Sequence, residues 1–297
     1  MLETVTSELT AYLVGGKRLL DDALDQVFQP LGTPPPVLHE ALRYTLLSPG
    51  KRFRGILVLA ASDLLKGNRD CAVPLACAVE MVHTASLILD DLPSMDNASL
   101  RRGRPTLHRA VGEANAILAA VGLLNGAFAL IGSAPAIKDG IRRKAALRLT
   151  EAIGAEGLLG GQVVDLESTG KHLDLDALEY IHSHKTGALF MAAAEIGLLC
   201  GGGGAREIEP MRRYAKNLGL AFQITDDLLD YSGNPETTGK DAGLDRGRTT
   251  FVNLCGIDGA RRLVDELIDT AIVAVAPFGR RAALIRSLAE HIRGRDR

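Results

Sequence analysis

Three stretches of this 297-residue chain group aspartates closely enough to act together. They are Asp21, Asp22 and Asp25 in "DDALD", Asp90, Asp91 and Asp96 in "DDLPSMD", and Asp226, Asp227 and Asp230 in "DDLLD". On a helix, carboxylates at i and i+4 lie on one face, about 6 Å apart along the axis. Around 226–230 the sequence "LGLAFQITDDLLDY" is apolar on most faces, so that pair is expected in an interior helix. Two buried carboxylates without counter-charge are costly. No Lys or Arg occurs from Asn217 to Asn234, so a divalent cation is the economical partner. All-oxygen donors with no His or Cys nearby favour Mg²⁺, with Mn²⁺ as the alternative. The segment 90–96 follows an almost wholly apolar run, 74–89, and puts acid at a helix C-terminus, where the helix dipole disfavours it. Pro93 turns Leu92 away from helix, and that bend could return Asp96 to Asp90. At 21–25 the aspartates sit on the polar side of an amphipathic helix, with Lys17 and Arg18 four residues earlier. That pattern reads as a solvated face with surface ion pairs and no part in chemistry.

Open metal positions call for a ligand that completes the shell, and diphosphate is the usual one. Basic residues stand at Gly- or Pro-marked boundaries where they could meet it. They are Lys51, Arg52 and Arg54 in "SPGKRFRG", Arg101, Arg102 and Arg104 after the first acidic cluster, Lys185 in "HKTG", and Lys240, Arg246 and Arg248 in "TGKDAGLDRGRTT". A metal-held diphosphate leaving an allylic carbon, an apolar cavity protecting the cation, and a second diphosphate held by Arg and Lys would use this whole layout. The chain has no GxSxG, P-loop or dinucleotide fingerprint. His182 and His184 are two apart, so they do not share a helix face, and they read as surface histidines.

The elements that must carry these groups are helical. Apolar content is 46% and aromatic content only 4% with no Trp, which suits closely packed Ala- and Leu-rich helices over a β-sandwich. Helical periodicity covers 19–28, 38–48, 55–66, 74–92, 108–132, 138–153, 155–167, 175–200, 206–232 and 259–276. Gly-, Pro- or Asn-rich breaks separate them, and no strand of useful length is expected. The expectation is one all-α domain over residues 1–297, about ten helices around a deep cavity. The uncharged run 114–137 is long enough to cross a bilayer, but Asn115, Asn125, Ser133 and Pro135 interrupt it, so a buried helix is expected. A net charge of −2 gives no reason for a nucleic-acid or membrane partner. Cys71, Cys77, Cys200 and Cys255 lack metal spacing, and the opening residues carry Glu3 and Glu8 rather than a signal pattern. Reduced thiols in a cytoplasmic protein are the expectation.

The motifs "GKRFR", "EMVHTASLILDDLPSMDNASLRRGRPTLH", "GGQVVDLE", "HKTGALF", "FQITDDLLD" and "TGKDAG" occur in an order that resembles the trans-polyprenyl diphosphate synthases, of the farnesyl and geranylgeranyl type. The likeness runs from about residue 40 to 290. It implies an all-α homodimer whose two aspartate motifs face each other across a cavity mouth. It also implies that Asp90, Asp91, Asp96, Asp226, Asp227 and Asp230 hold Mg²⁺ on an allylic diphosphate contacted by Arg101, Lys185, Gln223 and Lys240. Lys185, Thr186 and Gln223 would be catalytic, and Lys51, Arg54, His83 and Arg102 would bind isopentenyl diphosphate. Gln162 and Asp165 fall in a family motif. Gly55 stands where the family often has Pro, and Arg248 where Lys is common.

In this family the residue five before the first aspartate helps set the cavity floor and so the product length, and deeper residues on other helices can also close it. Here the residue at that position is Ala85, about 7.5 Å down the helix axis, followed by Ser86. Small residues there leave room for elongation, so geranylgeranyl diphosphate is expected, as in the carotenoid-pathway enzymes, with farnesyl diphosphate as the alternative. A terpene cyclase needs neither the second aspartate motif nor "GKRFR". A non-catalytic partner subunit usually has damaged aspartate motifs, and here both are intact.

Overall fold

The computed structural model describes residues 2–27, 35–232 and 249–295. Its helices are α1 (Leu2–Val27), α2 (Pro36–Leu46), α3 (Phe53–Leu64), α4 (Arg69–Asp90), α5 (Leu107–Val111), α6 (Glu113–Ser133) and α7 (Asp139–Ile153). They continue as α8 (Leu158–Glu167), α9 (Leu175–His182), α10 (Ala188–Cys200), α11 (Ala205–Ser232), α12 (Phe251–Ala274) and α13 (Ala283–Arg293). The only strands among the described residues are β1 (Leu100–Arg101) and β2 (Arg104–Pro105), a hairpin pairing Leu100 with Pro105 and Arg101 with Arg104. Arg102 and Gly103 form its two-residue turn with φ of 55° and 73°, the left-handed pair such a turn requires.

The helices that are apolar all round are central. In α10 every residue from Ala188 to Leu199 except Met191 is buried, and α3 and α4 are nearly as enclosed. Around them the amphipathic helices present one stripe each: Leu20 and Leu24 from α1, and Ile285, Leu288, Ala289 and Ile292 from α13.

Four local expectations change. Residues 175–200 are not one helix, because a π-turn at Ser183–Gly187 separates α9 from α10. Helix α12 starts at Phe251, behind an N-cap in which the Thr250 side chain accepts from the Asn253 N–H, and a non-helical Gly256 with φ of 71° interrupts it. Helix α13, despite the regular apolar spacing just given, lies outside the helical spans expected from periodicity. The fourth is α6, which is not a buried helix. It packs its alanine side (Ala116, Ala119, Ala120, Ala127) inward and leaves Ile117, Leu118 and Val121 exposed. Both α4 and α6 are long and apolar enough to cross a membrane by length and composition, with 67% and 33% of their apolar windows buried in the protein.

Candidate active site

Helix α4 delivers the first acidic cluster. Asp90 is its last residue, and the chain folds back so that the Asp96 N–H donates to the Asp90 carbonyl at 3.0 Å. The bend after Pro93 therefore brings Asp96 to Asp90, as the proline suggested. Asp91 is 4% exposed and receives the Arg101 Nε–H at 2.9 Å. Burial pushes its carboxyl up even though Arg101 pulls the other way. The hairpin fixes that arginine, since Arg101 ends β1 and pairs with Arg104 across the tight turn.

Lys185 lies in the π-turn between α9 and α10. Turns of this kind break the regular bond ladder and are frequent at functional sites. Its ammonium donates to Asp165 Oδ2 at 2.7 Å and to Asp90 Oδ1 at 3.2 Å, and Gln162 Nε2 donates to the same Asp90 oxygen at 2.8 Å. Burial alone would lower the Lys185 pKa, but Asp90 and Asp165 outweigh it and raise it. Helix α8 reaches this turn because of a glycine: a Cβ on Gly161 would stand 2.3 Å from the Lys185 backbone nitrogen. The next residue, Thr186, has its hydroxyl 3.4 Å from Gln223 Oε1, and Gln223 Nε2 donates to Asp227 Oδ1 at 3.0 Å. The Phe251 N–H donates to Asp227 Oδ2 at 3.2 Å. The two acidic clusters are thus joined through Lys185, Thr186 and Gln223.

The second cluster corrects one expectation. The sequence offers no base near it, yet Arg295 Nη2 reaches Asp226 Oδ1 at 2.8 Å from 69 residues away. Its guanidinium lies 4.3 Å over the Phe222 ring, and its Nη1 is buried with no hydrogen-bond partner among the described residues. Lys51 stands close enough to Arg295 and Asp226 to feel both charges; burial first, then Arg295, lowers its pKa.

Beside it, Arg54 Nη1 meets His83 Nε2 at 3.2 Å and its guanidinium lies 4.7 Å over Phe190, while its Nε is buried without a partner among the described residues. Burial pulls Arg54 down to about 10. The same burial and the surrounding arginines push His83 well below its ordinary value, so its ring is neutral. Arg102 rests on Gly50, where a Cβ would be 2.6 Å from Nη1. Phe53, Phe190 and Phe222 form a tilted aromatic cluster, with centroids 5.4–5.9 Å apart.

Not every candidate joins. Arg52 turns away from the site with a left-handed φ of 50°, is 4% exposed, and donates to Asp21 Oδ1 at 2.7 Å and to the Leu46 and Ser48 carbonyls. This corrects its placement among the site's bases. It also corrects the picture of 21–25 as a merely solvated face, because Asp21 braces α1 to the chain entering α3. Arg104 stacks 4.1 Å over Tyr44. His184 hydrogen-bonds the Tyr180 carbonyl at 2.7 Å. Ala85 is completely buried, and the half-buried Ser86 donates its hydroxyl to the His83 carbonyl at 2.8 Å. Lys240, Arg246 and Arg248 lie outside the described residues. Arg295 and the aromatic cluster were missed by sequence reasoning; only the cluster had a local signal, a Phe beside each of three motifs.

Among the described residues no group of three or more His, Cys, Asp or Glu side chains is drawn together as a metal cage. The donor chemistry nonetheless fits Mg²⁺, with six hard carboxylates and no competing thiolate or imidazole among them. The orphaned N–H groups of Arg54 and Arg295 fit an anion.

A family model described as polyprenyl synthetase matches residues 35–272. A chloroplastic geranylgeranyl pyrophosphate synthase of Capsicum annuum is 45% identical over 88% of this chain and 72% of its own length. A heterodimeric geranylgeranyl pyrophosphate synthase large subunit of Arabidopsis thaliana is 43% identical over 89% of this chain and 73% of its own. The solved structure of a Helicobacter pylori geranyltransferase, complexed with magnesium and isoprenyl diphosphate, superposes with a TM-score of 0.85 at 31% identity, covering 96% of this chain and 95% of that one. With its helical fold and paired acidic clusters, the chain belongs to the polyprenyl synthetase family.

Proposed function

We propose that this protein is a prenyltransferase that condenses isopentenyl diphosphate head-to-tail with an allylic diphosphate and releases geranylgeranyl diphosphate. The observation that carries this is the bonded path from Asp90 through Lys185, Thr186 and Gln223 to Asp227, which ties two carboxylate clusters to one point. Asp90, Asp91, Asp96, Asp226, Asp227 and Asp230 would hold Mg²⁺. When bound, Mg²⁺ supplies charge stabilisation to the departing diphosphate.

The chain's own groups do the rest. Arg101 and Lys185 neutralise phosphate oxygens beside the first cluster. The Thr186 hydroxyl and the Gln223 amide present dipoles toward the electron-poor carbon. Lys51, Arg54, His83 and Arg102 hold the second diphosphate, and Phe53, Phe190 and Phe222 exclude water. Lys240 is assigned to the allylic diphosphate on motif alone.

Small residues at Ala85 and Ser86, together with likeness to geranylgeranyl synthases, support the twenty-carbon product. The test is to incubate the protein with isopentenyl diphosphate, each allylic primer and Mg²⁺, and to separate the products by chain length. Geranylgeranyl diphosphate is expected. Accumulation of farnesyl diphosphate would overturn the length assignment, and absence of transfer the activity. We also assign a second copy of this chain to the exposed Ile117, Leu118 and Val121 face of α6. Light scattering should give twice the monomer mass, and a monomer would refute it. The four free cysteines support a reducing, cytoplasmic setting.

A further inference from the structure

Glu80 is 2% exposed on α4, one turn before His83, a costly place for a carboxylate. Its side chain accepts the Gly55 N–H at 2.8 Å in the first turn of α3, next to Arg54. That approach needs this residue type. A Cβ at position 55 would stand 2.7 Å from Leu20 Cδ1 and 3.1 Å from Glu80 Cγ, and a proline would have no N–H to give. No described guanidinium forms an ion pair with Glu80, yet its charge is felt by both Arg54 and Arg102, offsetting what burial takes from them. Arg54 keeps a buried Nε–H without a partner among the described residues. A carboxylate in direct contact would consume such donors, whereas one standing off leaves them for a ligand.

We propose that Glu80 is a built-in counter-charge for the isopentenyl diphosphate pocket, holding Arg54 and Arg102 together in the free protein and limiting how tightly they grip the diphosphate. This rests on the assignment of Lys51, Arg54 and Arg102 to that substrate. Removing a negative charge beside an anion site tightens binding, whereas loosening a scaffold weakens it, so the sign of the effect separates the two roles. At an effective dielectric near 20, one nearby buried charge changes affinity by about five-fold after screening.

Calorimetric titration with isopentenyl diphosphate alone, and separately with an allylic diphosphate alone plus Mg²⁺, tests this on three variants. Glu80→Gln keeps an acceptor for Gly55; it should bind isopentenyl diphosphate about five-fold more tightly, leave the allylic ligand within two-fold, and melt lower when free. Glu80→Asp keeps the charge and should return the affinity toward wild type. Unchanged or weakened isopentenyl binding in Glu80→Gln, equal tightening of both ligands, or no rescue by Asp would overturn the proposal. Lys51→Ala checks the assignment beneath it and should weaken isopentenyl diphosphate selectively. If it weakens the allylic ligand instead, the pocket assignment falls and the proposal with it. If it behaves as expected while Glu80→Gln fails to tighten, the proposal alone falls.

Discussion

Residues 21–25 and 226–230 share the pattern Asp-Asp-x-Leu-Asp, and in both the first aspartate meets a distant arginine: Asp21 with Arg52 at 2.7 Å, Asp226 with Arg295 at 2.8 Å. The difference lies in the arginines. Arg52 also donates to two backbone carbonyls, so its guanidinium is committed on several sides. Among the described residues Arg295 has one ion pair, a ring face beneath it, and a buried Nη1 without a partner. A saturated charge network braces a fold, because nothing in it improves by adding a ligand. An unsaturated one keeps donors that an incoming ligand can satisfy, which is what a binding site needs.

The strongest way to break this contrast is to treat the two aspartates alike. Asp226→Asn should lower kcat by about 10³-fold, equivalent to about 4 kcal/mol of barrier, with little change in melting temperature. Asp21→Asn should leave kcat of the folded enzyme within two-fold and lower stability by about 1–2 kcal/mol, because Arg52 loses its charged acceptor. Steady-state kinetics and chemical denaturation on both variants decide it. A drop in kcat for Asp21→Asn, or none for Asp226→Asn, would erase the distinction.

A smaller effect separates brace and site by pH. His83 is held neutral in the folded protein, first by burial and then by the arginines, while its unfolded value is near 6.5. Below that pH the unfolded chain takes up a proton that the folded chain refuses, so stability falls as pH drops through about 6.5 and beyond. The slope from one such group is at most about 1.4 kcal/mol per pH unit. Asp21 has a lowered folded pKa; burial works against that, and the bonds from Lys17 and Arg52 prevail. Its stabilisation is present above about pH 4 and fades only as pH falls through its folded value. His83→Gln should therefore flatten the stability profile between pH 6.5 and 5, and Asp21→Asn should change it only at the acid end. Denaturation midpoints across that range measure both.

What the sequence disclosed follows the same division. Helix spans other than α13 were readable because the core is built from Ala and Leu at helical spacing, and the acidic ends of α4 and α11 stood out against apolar runs. The returning Asp96 could be inferred because Pro93 permits so little else. Arg295 could not be, since its position depends on α13 folding the chain end back onto α11. Nor could the direction of Arg52, which is decided by a single left-handed residue within "GKRFR". The π-turn carrying Lys185 sits inside an unbroken helical pattern, and only its packing against Gly161 and its bonds to Asp90 and Asp165 explain it. Where local periodicity decides conformation the sequence is informative, and where one distant contact decides it, the sequence says little.

The contrast can be sharpened within the first motif itself. Asp22 follows Asp21 directly and also has a base four residues before it, so the pattern gives both the same claim to importance. The Arg18–Asp22 pair is stretched to 4.0 Å, and its side chains are 86% and 69% exposed. Water and salt screen such a pair, and holding two long side chains together costs entropy. Asp22→Asn should change stability by less than about 0.5 kcal/mol, against the larger loss for Asp21→Asn. Denaturant midpoints measured side by side settle it. Equal losses would mean that the motif acts as a unit and that saturation of the partner arginine is irrelevant. Unequal losses in the stated order would tie the energy to Arg52, one buried guanidinium that nothing in the spelling of residues 21–25 reveals.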